Sequence, residues 1–130
     1  NEYIWTSKLE RVSIIRKGIP YESIEGISKR INLPIKEVLY LFGLPQTTYN
    51  KKRREKSLLN GRDSEIVLLL TELVDFGIEV FNNEEDKFQR WLKKPNYALG
   101  GYTPESLLDS TTGIQEVKNC LNRLEHGSFA

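Results

Sequence analysis

Proline, glycine and asparagine punctuate this 130-residue chain at intervals that leave room for short helices and little else. Gly18-Ile19-Pro20, Pro34, Gly43-Leu44-Pro45, Asn60-Gly61, Asn82-Asn83, Pro95 and Gly100-Gly101 each mark a place where one helix must stop or another can start. Between the marks, apolar residues recur every three or four positions, and the strict alternation of a half-buried strand is absent. The fold class that follows is all-α, with a helix-turn-helix bundle at the N-terminal end and a small helical domain after it. Asn60-Gly61 predicts the boundary, giving domains at 1–61 and 62–130.

The punctuation predicts the following elements. Trp5, Leu9 and Val12 form the apolar stripe of a first helix closed by Gly18. Pro20 opens a second, with Ile24, Ile27 and Ile31 inward, and Pro34 a third, with Ile35, Val38, Leu39 and Phe42 inward. Asp63 or Ser64 caps a long helix striped by Ile66, Leu69, Leu70, Leu73, Ile78 and Phe81. The next helix carries Glu84, Glu85 and Asp86 in its first turn and Lys93-Lys94 in its last, matching the macrodipole at both ends. Phe88, Trp91 and Leu92 make its buried face. Thr103-Pro104 caps a further turn. A capping box from Thr112 to Gln115 opens the last helix, with Ile114, Val117, Leu121 and Leu124 inward and Gly127 closing it.

Pro34 to Lys56, PIKEVLYLFGLPQTTYNKKRREK, is the sharpest local signal. Gly43 supplies a turn between two short helices, and Val38, Leu39, Phe42, Leu44 and Tyr49 fall where those helices pack together. This is the pattern of a helix-turn-helix, whose second helix sits in a DNA major groove. Its first turn offers Gln46, Thr47, Thr48 and Asn50, short polar side chains able to reach base edges. Lys51, Lys52, Arg53 and Arg54 follow as phosphate contacts, with Lys36 adding another from the preceding helix. Such a charge run is ordinarily a solvated face; its position directly behind the turn favours double-stranded DNA. Lys52 stands where these motifs often carry an apolar residue, so its stem is expected to pack while its ammonium snorkels out.

Charge is divided unevenly. Residues 1–62 hold 13 Lys/Arg against 6 Asp/Glu, whereas residues 63–130 hold 6 against 12, within an overall net charge of +1. The halves therefore face different partners, a polyanion for the first and something else for the second. No apolar run reaches the ~20 residues that cross a bilayer, and no secretory leader is legible. Cys120 is alone, so no internal disulfide forms, which fits the cytoplasm. With no methionine and Asn1 in first place, the natural start is expected upstream or trimmed. Catalysis is not expected. Cys120 and His126 are the only residues of their types and stand on opposite faces of one helix, and there is no metal-ligand cluster, phosphate loop or supported carboxylate pair. No cofactor is implied.

From Phe88 to Phe129 the wording is distinctive: FQRWLKKPNYALGGYTPESLLDSTTGIQEVKNCLNRLEHGSF. A Trp-Leu helix ended by Pro95-Asn96, the turn Leu99-Gly100-Gly101, the Thr103-Pro104 cap, the Leu107-Leu108 pair and a helix from Gly113 to Arg123-Leu124-Glu125-His126-Gly127 occur in one order. This resembles the C-terminal domain of the Xre/MbcA/ParS antitoxins, the partners of RES-domain toxins, and the first sixty residues resemble that family's Xre-type DNA-binding domain. The resemblance implies a bacterial two-part antitoxin of a type II system. Its basic half would bind its own promoter, normally as a homodimer, to repress it. Its acidic half would block a toxin that consumes NAD or, in the ParT branch, modifies proteins with it.

The resemblance further implies that Arg123, Glu125 and His126, with the tail from Gly127 to Ala130, lie against the toxin cleft. An acidic surface there would satisfy the cations of a pocket built for NAD phosphates. Asn96, Leu99, Leu108, Val117, Leu121 and Leu124 are the accompanying toxin-binding candidates. The plainer readings make Trp91 core, Leu107 and Leu108 a split pair, Gly100-Gly101 a backbone turn, His126 a dipole-stabilised surface group and Cys120 a buried thiol. Two alternatives remain open: a stand-alone transcription regulator whose second half dimerises or senses a ligand, and a protein-interaction module whose basic helix contacts something other than DNA. The helix from Ser64 to Phe81 is the expected dimer interface, since its stripe is broad and Gly77 permits close approach.

Overall fold

A 20-residue helix, α5 (Gly61–Val80), is the element on which the others pack. The computed structural model describes residues 7–127, so Trp5 and the tail beyond Gly127 fall outside the described residues. Four short helices precede α5: α1 (Lys8–Lys17), α2 (Ser23–Ile31), α3 (Ile35–Phe42) and α4 (Gln46–Arg54). After it come α6 (Glu85–Leu92), two 3₁₀ turns (Tyr97–Leu99 and Pro104–Leu107) and α7 (Thr111–Glu125). No described helix is long and apolar enough to cross a membrane. The all-α expectation holds, and the only β-type pairing among the described residues is a single bridge between Pro20 and Leu58.

One continuous core joins both ends of the chain. Ile24, Ile27 and Ile31 of α2 and Val117, Cys120 and Leu121 of α7 pack with α5, and Val38, Leu39 and Phe42 of α3 join the same core against α2. The periodicity reading is right for α2, α3 and α7, because each turns one apolar face to the core. It fails on α1, where Leu9 is 79% exposed and Val12 38%. That helix touches the core only through half-buried Ile14 and Ile15, and Arg11 holds it to α5 with ion pairs to Glu72 (3.2 Å) and Glu65 (3.7 Å).

Three helix starts differ from the sequence reading, each for a local reason. Pro20 does not open α2: Leu59 N–H donates to Ile19 C=O at 2.7 Å and Tyr21 N–H to Ser57 C=O at 3.3 Å, so the chain runs extended there and turns helical at Ser23. The N-cap of α5 is Asn60, whose Oδ1 accepts from Asp63 N–H at 2.8 Å, while Asp63 and Ser64 lie buried inside the first turn. The cap of α7 is Ser110, accepting from Gly113 N–H at 2.9 Å, and Gln115 bonds to Asn119 instead of closing a box with Thr112.

Ser64 ties the two segments before α5 together. Its fully buried hydroxyl accepts from Ile19 N–H at 3.0 Å and donates to Leu59 C=O at 3.3 Å. Ser64→Ala leaves a buried N–H without its partner, so a loss of about 1–3 kcal/mol is expected in chemical denaturation.

Of the stripe expected to form a dimer interface, Ile66, Leu70 and Leu73 are buried within the single chain, as is Gly77, while Leu69, Ile78 and Phe81 are half-buried. The room that Gly77 leaves is filled by the Phe88 ring, whose atoms stand 2.2–2.7 Å from where a Cβ would be. The stripe is broad because it must meet α2 on one flank and α7 on the other.

The two ends of the chain are also stitched by polar contacts. The last carbonyls of α2 have no partner within their own helix. Gln89 Nε2 of α6 donates to Arg30 C=O at 2.9 Å, and Nζ of Lys93, the residue that caps α6, donates to Ile31 C=O at 3.0 Å. Arg30 in turn pairs with Asp75 of α5 at 2.7 Å.

Candidate nucleic-acid and partner-protein surfaces

The helix-turn-helix forms where the sequence places it. Gly43 ends α3 at φ 65°, a left-handed conformation that favours glycine, and Leu44 N–H donates back to Leu39 C=O at 3.0 Å. Pro45 then starts α4 without a backbone donor to lose. Tyr49 is the buried residue of α4, and its ring lies 6.5 Å from that of Tyr21. Burial pushes the Tyr49 hydroxyl above its ordinary pKa, Glu25 adding to the effect and Arg53 opposing it. With a single anchor, α4 leaves the rest of its circumference outside.

What it leaves outside is two stripes. Gln46, Asn50 and Arg53 form one and Thr47, Lys51 and Arg54 the other, each spaced three to four residues apart on the helix. Thr48 and Lys36 are exposed as well, and Lys52 is half-buried, as the snorkelling argument requires. The first stripe borders a groove of about 590 Å³ shared with Glu25 and Lys29 of α2. Lys29 escaped the sequence reading because it sits near the end of α2, seventeen positions before Gln46, with nothing local to connect the two.

Arg53 differs from its neighbours. Its Nε lies 2.8 Å from Glu25 Oε1 and its second amino group donates to Oε2 at 3.0 Å, a fork-to-fork pair. The Glu25 bonds hold the guanidinium still further into its charged form. A phosphate competing for Arg53 must first displace Glu25, so Arg53 is a tethered cation, not the free one expected from its place in the basic run. Lys51 and Arg54 carry the open charge.

The acidic half is arranged differently. Phe81, Phe88 and Trp91 form a trio with ring centroids 5.9–6.2 Å apart, with Trp91 half-buried on its edge. Of the toxin-binding candidates, Asn96, Leu99, Leu108, Val117 and Leu121 lie at or below 8% exposure. Their side chains belong to the core that holds the C-terminal helices together and offer a partner little surface. Leu107 is half-buried beside fully covered Leu108, the split expected of that pair. Leu124 is half-buried too, and Arg123, Glu125, His126 and Gly127 are exposed at the end of α7. His126 Nδ1 stands 2.9 Å from Asn122 C=O. Cys120 is buried, and that burial raises its thiol pKa against the pull of Arg123. Among the described residues no cluster of His, Cys, Asp or Glu could hold a metal ion.

Comparison with known proteins places these two surfaces in one family. Residues 10–72 match the antitoxin Xre-like helix-turn-helix domain, and residues 77–127 match the antitoxin Xre/MbcA/ParS C-terminal toxin-binding domain. Both matches reach into α5. An antitoxin Xre of Photorhabdus laumondii is 28% identical over 88% of this chain and 78% of its own length. One from Yersinia enterocolitica is 29% identical over 92% and 80%. A protein of Sphingobium sp. (strain YBL2) named Prs ADP-ribosylating antitoxin is 30% identical over 95% and 83%. With helix-turn-helix and toxin-binding domains matched in order over nearly its whole length, the chain belongs to the Xre/MbcA/ParS family of antitoxins.

Proposed function

We propose that this antitoxin works through both surfaces, neutralising a RES-domain toxin with its acidic half and repressing its own operon with α4. The observation that carries the reading is the presence of two exposed segments on one core: polar and cationic residues along α4, and the Arg123–Gly127 terminus of α7 within a segment matching a toxin-binding domain. On α4, Gln46, Thr47, Thr48 and Asn50 face base edges while Lys51, Lys52 and Arg54 contact phosphates. A homodimer reads two half-sites, through a contact outside the α5 stripe. The Sphingobium relative's name couples an antitoxin to ADP-ribosylation, chemistry that draws on NAD, which supports a partner that uses NAD. The protein acts as a binding protein, without a cofactor, in the bacterial cytoplasm.

The test is co-expression of the full chain with a RES-domain toxin. Growth is expected to recover with the wild-type antitoxin and to recover less with Arg123→Ala/Glu125→Ala. Full neutralisation by that double variant would remove the α7 terminus from the mechanism. The Glu25 tether gives a separate expectation for the DNA surface. Glu25→Gln frees Arg53, so affinity for promoter DNA is expected to rise, and the slope of log K against log salt to steepen by about 0.9, one further phosphate contact. An unchanged slope in a fluorescence titration would show that Arg53 is not within reach of DNA.

A further inference from the structure

We infer that Tyr97 and Tyr102, presented on one rigid loop, are the aromatic anchors by which this antitoxin grips its protein toxin; the inference rests on the toxin-binding reading above. Among the described residues, large exposed apolar or aromatic side chains in the acidic half are confined to these two: Tyr97 is fully exposed and Tyr102 62% exposed. The others, Leu9, Val12, Tyr40 and Leu58, all lie before α5. Two aromatic rings five residues apart within the segment matching a toxin-binding domain are a different matter from scattered surface residues.

The loop beneath them is built from the core outward. Asn96 is buried; its Oδ1 accepts from Ala98 N–H at 2.9 Å, and its backbone N–H donates to Tyr102 C=O at 3.0 Å. Asn96 C=O accepts from Gly101 N–H at 2.9 Å, and Gly100 N–H donates to Tyr97 C=O at 3.1 Å. Gly100 and Gly101, at φ 69° and 86°, allow the chain to turn back between the rings. Leu99, between the tyrosines in sequence, is inserted into the core and fixes the loop from below. Both backbones are thus held before any partner arrives, so little ordering entropy opposes docking. Tyrosine suits this place: an apolar ring to fill a cleft, a hydroxyl to meet a polar rim, and only two side-chain torsions to immobilise. The half that carries them holds twice as many acidic as basic residues. The matching surface is a protein face with ring-sized apolar clefts.

Calorimetric titration of this chain into a purified RES-domain toxin that it neutralises on co-expression tests this. Tyr97→Ala/Tyr102→Ala is expected to weaken binding by about 100-fold or more, as two central anchors do, with Tm unchanged because both rings stand in solvent. Tyr97→Phe/Tyr102→Phe is expected to retain most of the affinity. If wild-type and Ala variant bind within about threefold of each other, the tyrosines are not anchors and the toxin-binding reading survives. If the wild-type chain does not bind that protein at all, the toxin reading falls and this inference with it. Should the Ala variant bind normally but sediment as a smaller species, the loop joins two copies of this chain, which also overturns the inference.

Discussion

Gly77→Ala is expected to lower Tm by about 10 °C in the native background, and to raise it once Phe88 has been cut back to leucine. A Cβ at position 77 would stand 2.2 Å from Phe88 Cε1, 2.5 Å from Cζ and 2.7 Å from Cδ1. The ring cannot swing clear: it is fully buried, with Phe81 at 6.1 Å and Trp91 stacked at 6.2 Å. Overpacking of this kind costs ~2–3 kcal/mol, and for a domain of this size each kcal/mol moves Tm by roughly 4 °C. With leucine at 88 the conflict is gone, and alanine's helix propensity in α5 adds about 1 kcal/mol relative to glycine. Thermal melts of the four proteins in this cycle isolate the coupling. Additive effects would mean that the Phe88 ring is not what Gly77 makes room for.

The largest functional effect is expected on α4. Lys51→Gln/Lys52→Gln/Arg54→Gln removes three charges while retaining the stems that pack or snorkel. Each lost phosphate contact costs about 0.9 log unit in affinity at 0.1 M salt, so promoter binding should fall by ~10²–10³-fold and the salt slope by about 2.7. Arg53→Gln alone should cost less than any one of these, because Glu25 already holds its charge. Fluorescence anisotropy on the promoter duplex between 0.05 and 0.2 M salt reads both quantities. A variant that lost affinity with its slope intact would place the cations in the fold, away from the phosphates.

How much of this could be read from the chain depended on whether a signal was local. Gly43 followed by Pro45 specifies its turn with no help from the rest of the molecule, and the helix-turn-helix stands where it was expected. The caps of α5 and α7 were misplaced by two to four residues because several Ser, Thr, Asn and Asp side chains compete there, and packing selects among them. Leu9 and Val12 have helical spacing but no partner, since the flank of α5 that α1 meets is polar at Glu65 and Glu72. In the acidic half the family wording was legible, yet it did not separate residues that shape the domain from residues that show on it. Asn96, Leu99, Leu108, Val117 and Leu121 are core, while Tyr97 and Tyr102, inside the same wording, are on the surface. The Glu25–Arg53 pair spans 28 positions, and no periodicity brings those two together.

The two halves share one core, and Gln89 and Lys93 close the end of α2, so single-step unfolding, in which both surfaces share one equilibrium, is the expected behaviour for a chain of this size. A ligand that binds only the folded chain stabilises it by RT ln(1 + [L]/Kd), and that stabilisation belongs to every residue that unfolds in the same step. A toxin bound at the end of α7 therefore protects α4 from proteolysis, and an operator bound at α4 protects the end of α7. At a hundredfold excess over Kd the protection amounts to about 2.7 kcal/mol, close to a hundredfold fewer unfolded molecules. Each partner thereby prolongs the life of the other's binding surface without any change in its shape.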